Sequence, residues 1–279
     1  MMVGLFKNEV KKLYSHWRSF MGYILFLVLI PIIMWAYGKG ADGIPSAFPE
    51  NYSDLFLFTG KLNNGLTAAY FVLNFFWVHI PFLIALVGGD IFAGEEAQGT
   101  YRIYLTRAVP RWKIFVSKVL ASFFYTFTIV VLFIIMTLGL GLIWHGSGDM
   151  VVFHEGMLIL PQSEALYRFF LAYIFAFSNM LLVNIIALFF STMVKNSIGP
   201  MVGTMAVIIF FLALTSLPLD VFDSIRPYLF THYFDNWKIM FYDPIPWGKV
   251  VQSMLVISGH SIILLFAAFY IFNRKDIVS

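Results

Sequence analysis

The chain has 279 residues, 60% of them hydrophobic and 12% charged, with a net charge of +3 and a mean hydropathy of +0.83. Soluble domains carry roughly 25% charged residues, so the composition excludes a water-soluble globular protein and describes an integral membrane one. The absence of cysteine excludes disulfides, thiolate metal sites and a cysteine nucleophile, and says nothing about redox compartment.

In chain order, the first element lies within residues 1–19. Val3, Phe6, Val10, Leu13, Tyr14 and Trp17 recur at helical spacing, with Lys7, Lys11 and Lys12 opposite. This pattern predicts an amphipathic helix lying in the membrane interface; a solvated leader to the first span is the plainer alternative. Six apolar runs follow, at Phe20–Tyr37, Leu66–Val87, Val119–Ile143, Phe169–Val194, Ile198–Leu219 and Val250–Phe272, none containing Asp, Glu, Lys or Arg. A hydrocarbon core of about 30 Å needs about 20 helical residues, so each run is expected to span. No small-residue cleavage pattern follows the first run, which we read as a retained helix rather than a signal peptide.

Between the second and third runs, residues 90–118 form a charged connector. Gly99 permits a tight turn ending one short helix, Thr100 is placed to cap the next (Tyr101–Ala108), and Pro110 stops it. Glu95 and Glu96 have two readings: pairing with basic residues of a partner surface, or with Arg102 and Arg107 in the same loop. A solvated polar loop is the plainer alternative for the whole segment.

The stretches 38–65 and 145–166 are too short for domains. Gly199 and Gly203 open the fifth run as a G-x-x-x-G, a spacing that lets two helices approach closely. Polar residues inside the runs are few: Asn74, His79, Ser178, Asn179, Asn184, Thr204, Thr215 and His260. They read first as helix-to-helix hydrogen bonds, and they form no metal-ligand or catalytic constellation. Residues 219–249 combine nine aromatics with three prolines, and Pro218 immediately precedes them. Such density predicts short helices in the outer headgroup layer, or re-entrant ones buried against protein.

Charge distribution orients the chain. With a cytoplasmic N-terminus, twelve of the 18 basic residues fall inside and ten of the 15 acids outside. Counting Lys and Arg, this places both termini and the 90–118 connector in the cytoplasm. No G-x-x-x-x-G-K-[ST] occurs; the pairs Gly38-Lys39, Gly60-Lys61 and Gly248-Lys249 lack the upstream Gly and the Ser or Thr. The chain is therefore not expected to be an enzyme with Walker-type ATPase chemistry of its own.

Glu95 four residues before Gly99-Thr100, Pro110-Arg111 about ten residues later, and Lys118 opening the next helix resemble the first cytoplasmic loop of ABC-2 type transporter permeases. The close Phe272-Asn273-Arg274-Lys275-Asp276 is also similar to that family's. The resemblance implies an all-α membrane domain over residues 1–279, with six transmembrane helices, an N-terminal interfacial helix and short outer helices before the last span. It implies a permease subunit of the inner or plasma membrane, in two copies, with a homodimer expected and a heterodimer open. Two separate ATP-binding subunits would hold ATP and magnesium, leaving this chain no cofactor, and would drive efflux or flipping of a hydrophobic or amphipathic compound. Glu95, Glu96, Gly99, Thr100, Pro110 and Arg111 would form the coupling site. The first and fifth spans, with Gly199 and Gly203, would meet the partner copy. No nucleic-acid partner is expected. A membrane scaffold without a transport path is the alternative from another class. An ion-coupled carrier is a third, disfavoured by the lack of charge at membrane depth.

Overall fold

A computed structural model describes residues 2–40, 64–99, 109–153, 157–217 and 220–275. The N-terminal stretch folds as helix α1 (Met2–Leu13), and a turn at Tyr14–His16 leads into α2 (Trp17–Gly40). Within the protein, α1 turns one acid inward. Glu9 and Leu13 are buried, whereas Val3 and Trp17 are about two-thirds exposed. The apolar pattern alone could not place Glu9 inward, because its partner is distant in sequence.

The second apolar run is not one helix. It divides into α3 (Gly65–Phe76) and α4 (Ile80–Ala97), bent by 52° at the break. Pro81 has no N–H to continue the ladder from α3, and His79 Nδ1 sits 2.9 Å from the Phe75 carbonyl oxygen. The Asn64 side chain caps α3, accepting from Leu66 N and Thr67 N at 3.0 and 3.1 Å. Helix α4 then runs ten residues beyond the predicted end at Val87, through Asp90, Glu95 and Glu96. The charged turns persist because each of these acids has a basic partner.

Helix α5 spans Arg111–His145, with one π turn at Ile135–Gly139. Inside that turn Thr137 Oγ1 bonds Phe133 O and Tyr173 OH, both at 2.8 Å. An antiparallel hairpin follows, β1 (Met150–Phe153) against β2 (Met157–Leu160), with Met150 opposite Leu160. This hairpin departs from the all-α expectation; its first strand carries β-branched Val151 and Val152, which are buried together with Met150. Helices α6 (Gln162–Met193), α7 (Gly199–Ser216) and α8 (Trp247–Arg274) complete the set. Long α6 is the hub, packing on α4, α5, α7 and α8. Among the described residues, α2, α5, α6, α7 and α8 are each long and apolar enough to cross a membrane, and α3 with α4 qualify only as a bent pair.

The aromatic segment forms short 3-10 helices, of which Phe230–Phe241 is the longest. Phe230–Phe241 is buried against protein, whereas Asp220–Phe222 and Arg226–Tyr228 bury no residue. Trp237 lies 5.6 Å, ring to ring, from both Tyr70 and Trp77, and Phe241 lies 4.9 Å from Phe169. Phe230 meets His260 at 5.9 Å. His260 is about 20 Å along α8 at 1.5 Å per residue, so the segment dips well into the bundle.

Gly65 and Gly141 bring α3 and the end of α5 into backbone contact. A Cβ built on Gly141 would lie 2.6 Å from Gly65 O, and one on Gly65 would overlap the Gly141 carbonyl. Gly65→Ala should therefore lower stability by about 1–3 kcal/mol, the usual penalty of overpacking. Gly139→Ala, whose added methyl meets only Ile135 at 4.0 Å, serves as the control. Thermal unfolding of the detergent-solubilised protein reads the difference.

Candidate functional site

The ends of α1, α4, α5 and α8 meet on one face, the face that carries both described chain ends. α1 contains a single acid, Glu9, and α5 begins with an amphipathic turn that directs Lys118 inward. Lys118 Nζ donates to Glu9 Oε2 at 2.9 Å and to Glu95 Oε1 at 2.5 Å. Lys12 Nζ also donates to Glu95 Oε1. Lys118 is 1% exposed and Glu95 3%. Lys118 Nζ further lies 3.4 Å from Ile91 O. Two lysines and two glutamates thus pin α1 against α4 and α5 through a buried quartet.

A second pair closes the same junction: Arg18 Nη1 donates to Asp90 Oδ1 at 3.1 Å, joining α2 to α4. Between these pairs lies a cavity of about 40 Å³, lined by Glu9, Lys12, His16, Arg18, Asp90 and Glu95 among others. Such a space holds a few waters at most.

The C-terminal end of α8 is fastened as firmly. Lys275 Nζ pairs with Glu96 and donates to Thr192 O at 3.0 Å. Arg111 Nη1 donates to Asn273 O and Lys275 O at 3.0 and 3.1 Å, placing a cation on the carbonyl end of the helix, where its dipole is negative. Ser191 ties α6 to α4, donating to Gly89 O at 2.6 Å while accepting from Phe92 N and Ala93 N.

The sequence-predicted coupling residues therefore have different fates. Glu95 is a buried member of the quartet, not a surface acid, and Glu96 is half-buried against Lys275. Gly99, with φ of +68°, ends α4: its N–H reaches Glu96 O at 3.0 Å. It is exposed, as are Ala97 and Gln98. Pro110 is exposed at the start of α5, and Arg111 clamps α8. Thr100, the helix expected at 101–108, and Arg102 and Arg107 lie outside the described residues. A Cβ on Gly203 would meet the Phe190 ring of α6 in the same chain at 3.5 Å, and one on Gly199 would meet Val194 and Asn196; both glycines are half-buried. Sequence reasoning missed Glu9, Asp90 and the inward role of Lys12 and Lys118. The one available signal was a lone acid interrupting the basic N-terminal helix.

What remains accessible is a surface patch at the two ends of the connector: Ala97 to Gly99 on one side and Pro110 with Trp112 on the other. Trp112 is 48% exposed, with Lys113 Nζ 5.4 Å from its ring centroid. Among the described residues, no three His, Asp or Glu side chains are grouped as a metal site. The family described as a protein of unknown function, DUF2705, matches over residues 24–278. No curated protein matches the chain.

Proposed function

We propose that this chain, which belongs to the DUF2705 family, is the membrane-spanning subunit of an ATP-driven transporter of the ABC-2 type. In this reading the bent pair α3–α4 is one crossing, six crossings are made in all, and both termini face the cytoplasm. ATP is bound and hydrolysed by a separate subunit present in two copies, and two permease chains form the path. The movement is efflux or flipping of a hydrophobic or amphipathic compound.

The observation that carries this reading is the mechanical continuity behind the connector. A force applied between Gln98 and Pro110 acts directly on α4 and α5. Through the Lys118 quartet it acts on α1, through Lys275 and Arg111 on α8, and through Ser191 on α6. A loop that merely satisfied the positive-inside rule needs none of these connections. Glu95 then serves as a transmitting residue behind the contact surface, and the contact itself falls to the exposed patch with Trp112.

The test is purification of the tagged chain in mild detergent with identification of what accompanies it. A stoichiometric Walker-motif ATPase is the expected result. Trp112→Ala should leave thermal stability within about 0.5 kcal/mol, as for other exposed sites. It should reduce ATPase recovery about tenfold, as removal of an interface tryptophan typically does. Recovery of the chain alone, or only with non-ATPase proteins across several detergents, would replace this reading with a membrane scaffold.

A further inference from the structure

On the opposite half of the molecule, a groove of about 450 Å³ opens beside the α3–α4 break. That lies within the roughly 300–1,000 Å³ of small-molecule sites. Its inner wall is apolar, built from Pro81 and Phe82 of α4 and Met205, Ile208 and Ile209 of α7. Phe82 and Ile209 are 42% and 58% exposed, so the groove is open sideways to the surrounding apolar medium. The outer rim is polar, with Thr215, Ser216, His232 and Asp235.

Three observations say what belongs there. First, Thr231 and Trp77 line the groove, each almost wholly buried, and neither Thr231 Oγ1 nor Trp77 Nε1 has a hydrogen-bond partner. Buried donors of this kind are expensive unless an acceptor oxygen meets them. Second, Asp235 Oδ2 is bridged by Lys238 Nζ at 3.0 Å. This sets the rim carboxylate of Asp235 beside a cation that lies just outside the groove lining. Third, the order is graded: Thr231 is buried and Asp235 exposed, about 8 Å apart along the helix at 2.0 Å per residue of 3-10 helix. The wall below is hydrocarbon. Burial, and then the Arg226 guanidinium, hold the His232 imidazole below its ordinary value.

We propose that this groove is a binding site for one zwitterionic phospholipid. Its acyl chain lies along Ile208 and Phe82, and an ester carbonyl accepts from Thr231. Its ammonium and phosphate pair with Asp235 and Lys238. A rotation of Thr231 about χ1, among its staggered wells, turns the hydroxyl toward the carbonyl. An anionic lipid lacks the ammonium and meets Asp235 unfavourably. The site needs only that the chain lie in a bilayer, and stands whether or not the transport reading does.

The experiment uses the full chain in nanodiscs doped with a phosphatidylethanolamine carrying a photoactivatable diazirine in its acyl chain, or a phosphatidylglycerol with the same chain. Crosslinks are mapped by peptide mass spectrometry. Labelling of peptides containing Phe82 or Ile208 should saturate. It should favour the ethanolamine lipid about tenfold, the range of one charge-assisted contact, about 1.4 kcal/mol. Ile208→Trp should fill the groove and abolish this labelling while leaving that of the exposed α8 residues Leu255 and Phe266 unchanged. Thr231→Val keeps the side-chain shape and should weaken labelling severalfold; Asp235→Asn should narrow the headgroup preference. Equal, unsaturable labelling by both lipids would reduce the groove to ordinary lipid-facing surface and overturn the proposal. So would intermolecular crosslinks showing a second copy of the chain seated there, or insensitivity to Thr231→Val where Ile208→Trp does not fold.

Discussion

Lys118→Met is expected to lower stability by about 3–5 kcal/mol, the usual consequence of leaving buried charge uncompensated. Lys118 is the cation that Glu9 and Glu95 share, and all three are under 10% exposed. Coulomb attraction in so enclosed a site is little screened by salt, so added salt should not rescue the variant. Removing the two acids as well should. The triple variant Glu9→Gln, Glu95→Gln, Lys118→Met replaces the charges with neutral groups of similar volume and should recover most of the loss. Fluorescence-detected size exclusion after a temperature ramp measures both. If Lys118→Met alone melts like the parent, the quartet is not what holds α1 in place. The triple variant also separates stability from function: it should fold, yet transmit motion from the connector to α1 less faithfully, because the charge-assisted hydrogen bonds of Lys118 to Glu9 and Glu95 are gone.

Trp237→Ala should be comparably severe at the other end of the molecule, about 3–5 kcal/mol for truncation of a buried tryptophan. The ring is wholly buried and meets Tyr70, Trp77 and Phe241 at once, joining the dipping 3-10 segment to α3 and to the start of the α3–α4 break. Its Nε1 has no hydrogen-bond partner. Trp237→Phe, which loses that unmatched N–H and some volume, should therefore cost less than about 1.5 kcal/mol. The contrast between the two substitutions, read as unfolding midpoints, distinguishes a packing role from a polar one. Equal losses would assign the indole N–H a partner that the geometry does not provide.

The membrane character, the positions of the long apolar helices and the aromatic density before the last one were all legible in the sequence. Each is a property of local composition: a hydrophobic run must be a helix to satisfy its backbone in lipid. Gly99 was legible as a turn for the same local reason, since few residues but glycine adopt a positive φ readily. The bend at Trp77–His79 was partly legible, because Pro81 announces a missing N–H. The apolar run across it is continuous, however, and its hydropathy says nothing about direction.

Glu95 shows where legibility stopped. Its neighbours Glu96, Gln98 and Gly99 make it look like a surface acid, and nothing within twenty residues contradicts that. Its actual partners, Lys12 and Lys118, lie 83 and 23 positions away. Gly203 repeats the lesson: a G-x-x-x-G declares that some helix approaches closely, while only packing shows that Phe190 of α6 lies beside it.

By itself the sequence determined solvent and local conformation: a bilayer-embedded chain, helical where it is apolar, turning where glycine and proline require it. The tertiary structure decided partnership. It placed Glu9 inward, joined α1, α4, α5 and α8 through buried charge, and tucked the aromatic segment into the bundle. The physical reason is one of range. Hydropathy and backbone propensity are properties of a residue and its few neighbours, whereas burying a carboxylate depends on a cation brought to it from another part of the chain.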